Sequence, residues 1–152
     1  MVKLEEMKSD EFQRYLSYAI KNYADEHVKA NNWDEREAVS KATQEFERLL
    51  PDGEKTVNQK LFIIRDEEQE VGMIWLAQVS TEKGFIYDIN IYEGNQGRGY
   101  GKKAMKEIEQ VAKNLGLTNI GLHVFGHNKS ARGLYEKLGY IETDIVMAKD
   151  LV

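Results

Sequence analysis

Between Gln96 and Lys102 the chain reads Gln-Gly-Arg-Gly-Tyr-Gly-Lys. Three alternating glycines, Gly97, Gly99 and Gly101, clear side chains from the loop, so main-chain N–H groups can converge on one ligand. A segment of helical composition follows directly. The free N–H groups and positive dipole end of a helix N-terminus would add to the loop. Arg98, Lys102, Lys103 and Lys106 supply positive charge around it. The chemistry implied is anion recognition, with room for a diphosphate. A Walker A loop is excluded, because Lys103 stands where a hydroxyl should meet Mg²⁺. A dinucleotide fingerprint fails as well: residues 92–98 separate the preceding strand from Gly99, and 116–127 contain no acid for a ribose.

Groups able to move a proton lie on either side of this loop. Asp88 and Asn90 alternate with Tyr87, Ile89 and Ile91, which puts the two polar residues on one face of a strand. His123 likewise stands opposite the aliphatic set Ile120, Leu122 and Val124. Tyr135 lies in an amphipathic segment between Leu134 and Leu138, after Asn128-x-x-Ala131. His27 falls on a charged helical stretch and His127 in a loop before Asn128. With three histidines and no cysteine, the sequence offers no thiolate nucleophile, no disulfide and little material for a metal site.

The elements that would hold these residues follow from periodicity. After a short strand at Val2–Glu6, apolar residues from Phe12 to Tyr23 recur at helical spacing, with Ser9 or Asp10 as N-cap. Asn32 and Glu35 have capping-box spacing and open a second helix that ends before Pro51-Asp52-Gly53. Strands are expected at Lys60–Arg65, Val71–Val79 and Phe85–Ile91, then a helix from Gly101 to Leu115 with Gly116 as its C′ residue. A strand over Asn119–Phe125, a helix over Lys129–Leu138 and a terminal strand or hairpin over Tyr140–Ala148 complete the chain. The order (β)ααβββαβαβ predicts an α/β (α+β) fold, a mixed sheet with helices on both faces, formed as one domain over residues 1–152.

Composition narrows the partners. The net charge of −5 argues against a broad nucleic-acid face. The basic patch of residues 98–106 has only Tyr100 as an interleaved aromatic, which disfavours RNA. The longest apolar runs, Leu61–Ile64 and Met73–Ala77, are far short of the ~18 residues of a membrane helix. Charges scattered over Met1–Asp10 leave no secretory core, which points to the cytoplasm.

The Gln96-x-x-Gly-x-Gly101 motif, joined to Asn128-x-x-Ala131-x-x-x-Tyr135 and to this order of elements, resembles the GCN5-related N-acetyltransferase (GNAT) family. Residues 85–140 carry the specific motifs. Tyr23–Ala30 and Leu49–Gly53 are similar to bacterial members of unassigned substrate. The resemblance implies a mostly antiparallel central sheet and acetyl-CoA as co-substrate, without a metal. It implies that main-chain amides of Gly97, Arg98, Gly99, Tyr100, Gly101 and Lys102, with Gln96 opening the loop, hold the pyrophosphate. Ile89 and Ile91 would bond the pantetheine arm, the Ile91 N–H would face the thioester oxygen, and Asn128 would touch pantetheine or nucleotide. Glu93 stands where relatives often have proline, which leaves the path of Tyr92–Asn95 open.

The same resemblance makes Tyr135 the proton donor to the departing thiolate. Two candidates for the base stay open beside a water chain. Relatives that acetylate ribosomal-protein N-termini carry a glutamate at the offset of His123, twelve residues before Tyr135. Other relatives use a carboxylate on the strand of Asp88. The implied activity is transfer of acetyl to a primary amine, of a small molecule or a peptide. Without cysteine or a G-x-S-x-G elbow, direct transfer in a ternary complex is expected. An idle acyl-CoA-binding or sensing module is the alternative. A homodimer through the terminal strand is compatible with the family.

Overall fold

A computed structural model describes residues 1–152. Five strands form one sheet in the order β1-β2-β3-β4-β5: β1 (Val2–Glu6), β2 (Gln59–Asp66), β3 (Gln69–Gln78), β4 (Lys83–Ile91) and β5 (Asn119–Leu122). The first four pair antiparallel, and β5 joins β4 in parallel. Helices α1 (Ser9–Lys29) and α2 (Glu35–Leu49) precede β2, α3 (Tyr100–Asn114) connects β4 to β5, and α4 (Lys129–Lys137) follows β5.

Both faces of the sheet are covered, which explains why β2 and β3 are apolar in continuous runs instead of alternating. Leu61, Ile63, Met73 and Trp75 pack against Phe12, Tyr15 and Phe46 on the α1/α2 side. Phe62, Ile64, Ile74 and Leu76 pack against Met105, Ile108 and Tyr135 on the α3/α4 side. Each large side chain buried this way contributes ~1.5–3 kcal/mol.

Helix starts differ from expectation for local reasons. The Lys8 N–H donates to the Glu11 carboxylate at 2.8 Å, so Lys8 caps α1 one residue before the predicted Ser9. Asp34, not Asn32, caps α2 by accepting from the Arg36 N–H at 2.8 Å. The Asn32 amide is engaged at 2.9 Å with the His27 ring.

Two strand expectations are corrected. β5 ends at Leu122 instead of Phe125, because its ladder with β4 stops at Ile86↔Leu122. The terminal strand expected over Tyr140–Ala148 does not form: residues 140–152 have no strand partner, and Ile141, Ile145, Val146 and Met147 are exposed. A strand needs a neighbour for its N–H and C=O groups, and this tail lies on no sheet edge of its own chain. No helix is long and apolar enough to cross a membrane.

Candidate active site

The parallel ladder joins β4 to β5 only from Lys83↔Asn119 to Ile86↔Leu122, so the rest of β4 has an open edge. Its register shows which groups face that opening. The Tyr92 N–H donates to the Val71 carbonyl at 2.9 Å, and Met73 stands opposite Asn90. Main-chain groups alternate along a strand, so the N–H groups of Ile89 and Ile91 point away from β3 and into the gap. Their side chains pack toward α3 and α4.

The glycine loop closes one end of this gap. Gly97 and Gly99 have φ of 79° and 81°, a left-handed conformation that favours glycine. Gly99 is the N-cap of α3, and Lys103 N–H is the first to bond back, to the Gly99 carbonyl at 3.1 Å. The N–H groups of Tyr100, Gly101 and Lys102 therefore have no intrahelical acceptor. No acidic residue occupies the first turn of α3, so its positive dipole end is uncompensated. Gly97, Arg98, Gly99 and Lys102 are exposed and free to meet an anion. Donors, dipole and charge fit the diphosphate expected there.

Other members of the motif are positioned by their side chains. The Gln96 amide donates to the Ile91 carbonyl at 2.9 Å, folding the loop onto the end of β4. The Tyr100 ring is buried, and its hydroxyl donates to Asp66 at 2.5 Å, anchoring the loop to β2. Gly101 lies under α4, where an added Cβ would come within 3.1 Å of Leu134. Asn128 caps α4, its oxygen accepting from the Ala131 N–H at 3.2 Å, so only its amide donors remain for a ligand.

Tyr135 stands on the α3/α4 side of the sheet and Asp88 on the α1 side, near enough for the Asp88 charge to act on the phenol. Tyr135, 8% exposed on α4, is held up at about 12 by burial and then by the Asp88 charge. It is a neutral phenol at physiological pH. Burial also pushes the Asp88 carboxyl above the ordinary aspartate range, against the pull of the Tyr15 hydroxyl and the Ile89 N–H. The Tyr15 hydroxyl donates to Asp88 Oδ2 at 2.7 Å. Simple alternation does not describe this stretch of β4. Trp75 pairs with Asp88 and Leu76 with Ile86, leaving Tyr87 as an extra residue in a β-bulge. Tyr87 consequently packs on Trp75 at 4.9 Å, on the α1/α2 side, instead of sharing a face with Ile89 and Ile91. The bulge aims Asp88 at α1.

His123 lies elsewhere. It is exposed just past β5, with its ring edge-on to Phe125 at 4.9 Å. Phe125 also meets His27, which stacks on Trp33 at 3.9 Å and meets Tyr23 edge-on at 4.6 Å. Burial, then the charge of His123, lowers the His27 pKa. His127 contacts Glu26 of α1 at 2.5 Å. The histidines thus tie α1 to the β5–α4 loop, and His27 is part of an aromatic wall instead of an idle surface group. No periodicity links residues 23–33 with 123–127; only spatial proximity reveals the cluster.

The chain is similar to known proteins in sequence and in fold. The sequence model described as the acetyltransferase (GNAT) family matches residues 10–140. The uncharacterized N-acetyltransferase YycN of Bacillus subtilis (strain 168) is 40% identical, covering 99% of both chains. Its crystal structure superposes with a TM-score of 0.96 over all of this chain and 99% of its own. The uncharacterized N-acetyltransferase YdgE of the same organism is 33% identical, over 97% of each. A GNAT family acetyltransferase from Elizabethkingia anophelis, solved with acetyl-CoA bound, shares the fold at a TM-score of 0.58 and 21% identity, covering 66% of this chain and 62% of its own. The loop, the open β4 edge and the matched sequence agree: the chain belongs to the acetyltransferase (GNAT) family.

Proposed function

We propose that the protein moves an acetyl group from acetyl-CoA directly to a primary amine bound in the same complex. The observation that carries this reading is the open edge of β4 beyond Ile86, ending at the α3 N-terminus. Along it, the N–H groups of Ile89 and Ile91 would bond the pantetheine arm. The Ile91 N–H would stabilise charge developing on the thioester oxygen. Amides from Gly97 to Lys102 would bind the pyrophosphate.

An amine must be neutral to attack. Asp88 is the base in this reading, because it is half-buried against the Tyr15 hydroxyl, its pKa is raised, and its charge bears on Tyr135. His123, exposed at the rim, belongs to the wall of the acceptor entrance. As the N–C bond forms, Asp88 takes the amine proton. As the C–S bond breaks, Tyr135 donates its proton to sulfur. A neutral phenol suits that role, since CoA sulfur leaves more readily as a thiol than as a free thiolate.

The acceptor would enter past the wall of Tyr23, His27, Trp33 and Phe125, with a small-molecule or peptide amine both compatible. A second copy of the chain is the partner we infer for the tail, because Ile145, Val146, Met147 and Leu151 are exposed and β5 leaves one edge of the sheet free. Light scattering tests this, and a monomer at micromolar concentration overturns it. For activity, the purified protein is titrated with acetyl-CoA and assayed for free CoA with a panel of amines. Tight acetyl-CoA binding without amine-dependent CoA release would leave an acyl-CoA-binding module instead of an enzyme.

A further inference from the structure

We propose that Tyr15 is a positioning residue for acetyl transfer, its hydroxyl holding the Asp88 carboxylate in one orientation and favouring its charged form. This rests on the reading of Asp88 as the base. Tyr15 is 2% exposed, and its ring is fixed on every side. It lies 6.5 Å from Phe12, 6.4 Å from Phe46 and 5.6 Å, edge-on, from Tyr18. Such a ring has no freedom to turn its hydroxyl elsewhere. The β-bulge at Tyr87 delivers Asp88 to that hydroxyl at 2.7 Å, across 73 residues of sequence. A packing role alone would be served equally by phenylalanine. The hydroxyl adds a buried polar group whose sole use is this bond.

The surroundings make the bond matter for proton transfer. The titratable side chains acting on or with Asp88 are tyrosines: Tyr15 and Tyr18 of α1 and Tyr135 of α4. Burial pushes all three phenols upward, so none carries charge at neutral pH. Desolvation favours protonated Asp88, and a base in that form accepts nothing. The Tyr15 hydroxyl opposes this by donating to the charged form at Oδ2. Precise placement of one carboxylate oxygen is what a rigid donor on a neighbouring helix supplies.

The test is the pH–rate profile of kcat/KM for the amine in Tyr15→Phe. The acidic limb is expected to move up by about one pH unit. Activity below the limb should fall about tenfold, while the alkaline plateau and the KM for acetyl-CoA stay within about threefold. An unmoved limb, or an equal loss at every pH, overturns the proposal. Asp88→Asn in the same assay separates the two readings. If Asp88→Asn keeps both activity and limb, Asp88 is not the base. If it abolishes activity while Tyr15→Phe leaves the limb in place, only the role of Tyr15 fails. Should Tyr15→Phe not fold, 3-fluorotyrosine at position 15 keeps ring and hydroxyl but donates more strongly. It should shift the limb downward, and an unmoved limb there is equally decisive.

Discussion

Replacing Gly72 by alanine tests the geometry that exposes the β4 edge. Gly72 of β3 stands opposite Ile91, and a Cβ built on it would lie 2.3 Å from the Asn90 carbonyl oxygen. Real Cβ contacts keep at least 3.0 Å, and the obstacle is backbone within a paired strand, with no rotamer to change. The two strands must part or shear. Overpacking of this kind costs about 1–3 kcal/mol, and weakening one or two ladder bonds adds about 1 kcal/mol. For a chain of this size, Tm should fall by about 5–15 °C. Because the shift falls at Asn90 and Ile91, the folded variant should also bind acetyl-CoA more weakly. Gly84→Ala is the control: its Cβ would meet the flexible Leu117 Cδ1 at 2.9 Å, which can give way. Differential scanning fluorimetry and an acetyl-CoA titration measure both effects. A Gly72→Ala loss no larger than that of Gly84→Ala, with unchanged acetyl-CoA affinity, would refute the reasoning.

Further outcomes are expected from single changes in the site. Tyr135→Phe should lower kcat at least about tenfold with acetyl-CoA affinity nearly intact, since binding groups are untouched; steady-state kinetics and a binding titration check it. Gly99→Ala forces a side chain into φ of 81° with nothing within 4 Å of its Cβ, so backbone strain alone acts. That strain is about 1–2 kcal/mol, and calorimetric acetyl-CoA binding should weaken as the first turn of α3 reorients. Asp88→Asn should raise Tm at neutral pH while abolishing turnover. The folded-state pKa of Asp88 lies above its ordinary value of 3.8, so the folded protein holds an extra proton between the two values. Wild-type stability therefore drops as pH rises through that window. The Tm advantage of Asp88→Asn should shrink toward zero as pH falls to about 4; an advantage independent of pH would contradict the raised pKa.

The glycine loop and α3 were legible in the sequence because their determinants are local. Alternating glycines, an apolar stripe of period 3.6 and Gly116 with φ of 84° after the last turn act through neighbours along the chain. Tyr135 was readable for the same reason, at a fixed distance from Asn128 on one helix. The predicted N-cap of α2 failed by two residues because Asn32 had a competing partner, the His27 ring, which no short-range pattern announces. The terminal strand failed because its apolar alternation describes a capacity to pair, and pairing needs an edge within reach.

Sequence alone determined that a glycine-rich turn would sit between a strand and a helix, with a phenol, a carboxylate and an imidazole available. Tertiary structure decided where each of these stands. One extra residue at Tyr87 turned Asp88 toward α1, where Tyr15 bonds it, and the divergence of β5 after Leu122 left His123 at the rim. Strand register and bulge position are set by the packing of both sheet faces at once, and a one-residue slip sends a side chain to the opposite face. The placement of Asp88 against Tyr15, with His123 left apart, was therefore made by contacts 73 residues apart, which neither spacing nor composition encodes.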